Sequence, residues 1–140
     1  MATLRFADGT VQTVSTERYE PGVCNIGPAE IAKRRRAGII GTLATVALLV
    51  LLVALHVAPI VRLILFVPAA VAASGFIQAQ MKFCAGFAAL GIFNFGGEGD
   101  RVKIAEPEAR ARDRRRGRQI SVASFVIGAG VAVLAVLIPV

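Results

Sequence analysis

The stretch KRRRAGIIGTLATVALLVLLVAL, Lys33 to Leu55, decides how the rest of the chain is read. It opens on consecutive positive charges, Lys33, Arg34, Arg35 and Arg36, and then carries no charge from Ala37 to Leu55. About 20 apolar residues cross the hydrocarbon of a bilayer as a helix. Nothing breaks a helix between Pro28, which suits a first turn, and Pro59. Glu30 in that first turn complements the helix dipole. The basic run therefore reads as the anchor of a spanning helix at the anionic headgroups.

Two further blocks have the same character. The second runs from about Val57 to Ile77, with Arg62 near one end, expected to snorkel to the interface, and Pro68 in the middle, expected to kink the helix. The turn at HVAP is so short that the first two blocks must form an antiparallel hairpin. The third block, Gln119 to Val140, follows the basic run RARDRRRGR, Arg110 to Arg118. Glu106 with Arg110, and Glu108 with Arg112, have the i, i+4 spacing of a short juxtamembrane helix that begins at Pro107 and leads into the third span.

The chain is 56% hydrophobic, and the excess sits in these blocks, which marks an all-α membrane protein with three transmembrane helices. The net charge of +7 is no sign of nucleic-acid binding, because the basic residues flank apolar blocks and no aromatic residues interleave them. Lys33 to Arg36 and the run containing Arg110, Arg112, Arg114, Arg115, Arg116 and Arg118 all face the cytoplasm only if the N-terminus is inside and the C-terminus outside. The expected divisions are a polar N-terminal segment 1–27, a helical hairpin domain 28–96, a basic loop 97–118 and a third span 119–140. No secretory signal peptide is evident, since mostly polar residues precede the first block. A bacterial inner membrane is the expected location.

LRFADGTVQTV, Leu4 to Val14, reads either as a hairpin turning at Asp8-Gly9, with Phe6 opposite Val11, or as a loose tail. Residues 78–96 read either as an extension of the second helix or as an interfacial segment, ended by Gly96-Gly97. Small residues recur at helix-packing spacing: Gly38, Gly41, Ser74, Ser124 and Gly128 are the marked positions.

The chain has two cysteines, Cys24 and Cys84, too few for a disulfide scaffold and outside any metal-ligand pattern. No metal site and no cofactor is expected. Both thiols belong on the cytoplasmic side, Cys84 roughly opposite Ile31 and Cys24 about 10 Å further out at the helical rise. Each is either a small packing residue or, beside the basic runs, a thiol with a lowered pKa.

NIGPAEIAKRRRAG, the apolar hairpin and KFCAGFAALGI resemble a family of small two-helix bacterial membrane domains of unknown function, one of which anchors the inner-membrane rhodanese. The matching positions are Asn25, Ile26, Gly27, Arg35 or Arg36, Gly38, Phe83, Cys84, Leu90, Gly91 and Ile92. Ala85 stands where that family usually has proline, a third span is added, and there is no rhodanese domain. The resemblance implies a helical hairpin with a cysteine at its cytoplasmic exit, sometimes associated with sulfur chemistry.

Three functions are compatible with these residues. One is a structural or accessory subunit, bound to other membrane-protein subunits or to copies of itself. Another is a thiol or sulfur-handling protein using Cys84. The third is a transporter or channel subunit, although the cores of the spans lack the ionisable residues that usually mark a path.

Overall fold

The computed structural model describes residues 3–7, 10–14, 19–96 and 100–139, with backbone alone for the first two segments. Strands β1 (Thr3–Ala7) and β2 (Thr10–Val14) pair antiparallel with Phe6 opposite Val11. The anticipated Asp8-Gly9 turn and Gly97 lie outside the described residues. Helix α1 is Pro28–Ala54, a 3-10 stretch Pro59–Leu65 leads into α2 (Phe66–Met81), α3 is Ala85–Leu90, and α4 is Pro107–Val136. Between α3 and α4 lie β3 (Ile92–Phe93) and β4 (Val102–Lys103), which also pair antiparallel. The chain is thus mostly helical, with two small strand pairs in addition to the helices.

Three helical segments are long and apolar enough to cross a membrane: α1, the continuous Pro59–Met81, and α4. The basic juxtamembrane helix and the third apolar block are one uninterrupted helix.

Helix α2 is the middle of three, and glycine sets its distance to both neighbours. A Cβ on Gly75 would stand 2.5 Å from the Gly38 nitrogen and 2.7 Å from the Arg34 carbonyl oxygen. One on Gly41 would stand 2.8 Å from the nitrogen of Ala72. The contacts ascend α1 while they descend α2, so the pair is antiparallel as the short turn required. On the other side of α2, a Cβ on Gly128 would meet Ala70 at 2.8 Å, so α4 approaches as closely. The buried face of α4 runs from Ala109 through Asp113, Gly117, Ile120, Ser124 and Gly128 to Ala132 and Ala135. This seam of small residues repeats every three or four positions, the geometry that lets backbones approach.

Both α1 and α2 end in the same way. His56 follows α1 in the left-handed region (φ 51°), its N–H bonds the Val53 carbonyl (3.0 Å), and the Val57 N–H bonds that of Leu52 (3.1 Å). Lys82 (φ 53°) and Phe83 repeat this on Ala79 (3.4 Å) and Gln78 (3.0 Å). This paired closure satisfies carbonyls that a helix end otherwise leaves bare. Val57 also packs beside Leu52, as the motif's apolar contact requires.

Two expectations change here. Pro68 falls in the first turn of α2, where a missing N–H costs nothing, and the irregularity lies before it as the 3-10 stretch. Arg62 does not snorkel outward but is buried, 1% exposed. Its Nη1 donates to the carbonyls of Ala135 (3.1 Å) and Ile138 (2.9 Å), in the closing turn of α4. The end of α4 carries the negative pole of the helix dipole, so the cation is held there, although the Ala135 carbonyl also accepts the Ile138 N–H at 3.4 Å.

Residues 78–96 do not continue α2 as a straight extension beyond Met81. The chain turns at Lys82, forms short α3, and turns again at Gly91 (φ 67°) into β3.

Candidate functional site

At the basic end of the bundle the segment before α1 and the segment after α2 close on each other. Asn25 is fully buried, and its side chain clasps the backbone of Cys84: Oδ1 accepts the Cys84 N–H (2.6 Å) while Nδ2 donates to the Cys84 carbonyl (3.1 Å). The Asn25 N–H donates to the Lys82 carbonyl (3.2 Å), and its carbonyl accepts from Asn94 (3.0 Å). The Gly27 N–H donates to the Asn94 carbonyl (2.8 Å). Gly27 has no room for a side chain, because a Cβ would lie 2.7 Å from the Phe95 carbonyl oxygen. An asparagine is suited to such a clasp because it offers a donor and an acceptor side by side, matching a peptide unit.

Cys84 is 1% exposed and packs with Ile26, Phe87 and Ile92, with Ile31 against them. Arg34 Nη2 donates to its sulfur (3.0 Å) and lies 3.5 Å from the Glu30 carboxylate. The guanidinium of Arg34 also faces the Phe87 ring at 5.8 Å, and that of Arg101 faces the same ring at 5.5 Å, both within cation–π range. Arg34, rather than Arg35 or Arg36, is therefore the arginine that turns inward.

Cys24 is half-buried, and neither Cys24 nor Cys84 forms a disulfide. Burial, aided by Glu20 and opposed by Lys82, pushes the Cys24 thiol up, the reverse of the lowered value expected from nearby basic charge. A raised pKa leaves little thiolate at neutral pH. Maleimide should therefore label Cys24 slowly at pH 7 and faster at pH 9. Cys84 should lag by roughly tenfold or more until the chain unfolds, as a thiol enclosed by packing does. Mass spectrometry of the labelled peptides would read this out, and equal rates would contradict the burial.

A second clasp joins the N-terminal segment to α4. Asp113 is fully buried within the arginine run; it accepts the Gly22 N–H (2.7 Å) and the Tyr19 hydroxyl (3.0 Å). Tyr19 stacks on Phe93 with ring centroids 4.6 Å apart. Burial raises the Asp113 pKa against the two hydrogen bonds, which lower it. The folded chain then holds this proton more tightly than the unfolded chain. Its contribution is favourable below the ordinary carboxylate range and is lost as pH rises through the raised value. Wild type should accordingly gain in unfolding midpoint over Asp113→Asn as pH is lowered from neutral toward the carboxylate range. A gap that instead widens toward alkaline pH would contradict this.

The anticipated site residues divide into those the fold uses and those it leaves outside. Gly38, Gly41, Ser124 and Gly128 are buried at helix contacts. Ser74 is half-buried and accepts from Gln78 (2.6 Å) within its own helix. Lys33, Arg35, Arg36, Arg112, Arg114, Arg115 and Arg118 are exposed. Arg110 is half-buried and reaches back to the Ala105 carbonyl (3.3 Å), and Arg116 donates to Gln119 (3.3 Å). Sequence reasoning missed Gly75, Gln78 and Asp113 altogether. Among the described residues, no three of His, Cys, Asp and Glu converge as metal ligands would. No family model, curated relative or solved structure matches the chain.

Proposed function

We propose that the chain is a small integral protein of a bacterial inner membrane, with its N-terminus and basic flanks inside and its C-terminus outside, serving as a structural or accessory subunit of a membrane complex. The observation that carries this reading is how the interior polar groups are used. Asn25 holds Cys84, Asp113 holds Gly22, and Arg62 holds the last carbonyls of α4. Gln78 accepts the Ala85 N–H at 3.2 Å. Each fastens one part of the chain to another. Along its apolar length α1 buries only Gly38, Gly41 and Leu52, leaving Ile39, Ile40, Leu43, Val46 and Val50 bare for lipid or a neighbouring subunit. The convergence of Asn25, Gly27, Phe83, Cys84, Gly91 and Ile92 at one end supports the resemblance to the two-helix membrane domains.

Gentle-detergent purification from native membranes tests the proposal. Partners recovered in fixed stoichiometry favour an accessory role, and recovery of the chain alone counts against it.

The Arg34 contact to the Cys84 sulfur favours a second reading, a sulfur-handling role for that thiol. Cys84→Ser discriminates. A packing role predicts retained assembly, whereas a chemical role predicts lost function in a chain that still folds.

A further inference from the structure

The arginines of α4 separate by what they touch. Asp113, the carboxylate inside the run, faces Tyr19 and Gly22 and neutralises none of them directly. Arg110 and Arg116 are engaged within the fold. Arg114 and Arg118 are exposed, and neither has an ion-pair partner among the described residues. Both line a groove of about 660 Å³ between α3 and α4, with Ser121 beside them and Ala85, Ala89 and Gly117 as its small-residue walls. That lining holds two guanidinium groups and no carboxylate.

The groove exists because the two helices meet at small residues. A Cβ on Gly117 would come within 3.2 Å of the Ala88 side chain. Its position matters as much as its charge. Arg114, Arg118, Ser121 and Phe125 succeed one another about one turn apart, so they form a single stripe on α4. The stripe passes from charge to hydroxyl to an exposed aromatic ring, Phe125 being 61% exposed, and the neighbouring Val122 is bare as well. Ser121 donates its proton to the Gly117 carbonyl (3.0 Å), which leaves its oxygen free to accept.

We propose that this groove is a binding site for the phosphodiester headgroup of an anionic phospholipid. Arg114 and Arg118 grip the phosphate, Ser121 accepts from a headgroup hydroxyl, and an acyl chain lies along Phe125 and Val122. Paired guanidinium groups suit phosphate because they offer parallel donors to its oxygens. The inference rests on the membrane reading above, and it is narrower than general attraction of a basic run to a charged surface. It assigns one lipid to one groove.

The test uses the full chain in mild nonionic detergent, with native mass spectrometry counting retained phosphatidylglycerol and phosphatidylcholine. Wild type should retain one phosphatidylglycerol in preference to phosphatidylcholine. The pair Arg114→Gln and Arg118→Gln should weaken retention by roughly tenfold or more. The pair Arg36→Gln and Arg112→Gln removes the same charge outside the groove and should leave retention near wild type. Equal loss in both pairs would overturn the proposal in favour of diffuse charge. Soluble glycerol phosphate that displaces the lipid at equal concentration would overturn the lipid assignment in favour of a free phosphate ester. A chain that stays soluble without detergent would defeat the membrane reading itself, a result distinct from either of these.

Discussion

Gly75→Ala is expected to drive α1 and α2 apart. The added methyl would meet backbone atoms of Gly38 and Arg34 at 2.5 and 2.7 Å, and neither helix can yield at one point without moving as a whole. Overpacking of this kind costs about 3 kcal/mol, the upper end of its usual range, because no flexible side chain is available to move. A graded series makes the expectation specific. Gly41→Ala meets the backbone of Ala72 at 2.8 Å and should be nearly as damaging. Gly38→Ala meets the ring of Phe76 at 2.9 Å, and that ring is exposed enough to swing aside, so the loss should be smaller. Gly130→Ala meets nothing within 4 Å and should gain up to about 1 kcal/mol from helix propensity alone. Unfolding midpoints in a mild detergent, read by circular dichroism, would rank the four. If Gly75→Ala proved as stable as Gly130→Ala, the close approach described above would be wrong.

Asn25→Leu is the second substitution with a large expected effect. It removes both bonds to Cys84 and strands that residue's buried N–H, which costs about 1–3 kcal/mol when left without a partner, while the Cys84 carbonyl keeps the Ala88 N–H (3.1 Å). Asn25→Asp retains an acceptor for the N–H but buries a carboxylate against the Cys84 carbonyl oxygen, so it should be equally destabilising at neutral pH. Its sign with pH is diagnostic. A protonated aspartic acid donates as the amide does, so this variant should recover stability as pH falls, whereas Asn25→Leu should not. Maleimide reactivity at Cys84, taken relative to wild type at the same pH so that the thiolate fraction cancels, provides a local readout, rising in both variants at neutral pH and returning toward wild type at low pH only in Asn25→Asp. An unchanged Cys84 in Asn25→Leu would show that the clasp does not hold the thiol in place.

The apolar blocks were legible because hydropathy needs no partner to be read. Likewise Gly38 and Gly41 stood out, since each has a small residue four positions on, Thr42 and Thr45, and such pairs in a greasy helix point to close packing. On the facing helix the same reasoning chose Ser74, one position from Gly75. Spacing alone does not fix the phase of a helix, and one residue turns the chosen face by about 100°. The same uncertainty hid Arg34 among its neighbours. Buried polar residues were the least legible. Asp113 lay unremarked inside a run of arginines, while Arg62 looked like an interfacial charge. Their partners, Gly22 and Ala135, are 91 and 73 residues away in the chain, where local periodicity carries no information.

Those two residues together determine which motions are open to the third helix. Asp113 grips it near one end and Arg62 near the other, and about 33 Å of helix separate Asp113 from Ala135. A rod tied down at both extremities cannot slide along its length like a piston, nor roll about its axis, without breaking a buried polar bond. What remains is bending between the ties, so a signal crossing this bundle would travel as a change of curvature rather than as a stroke.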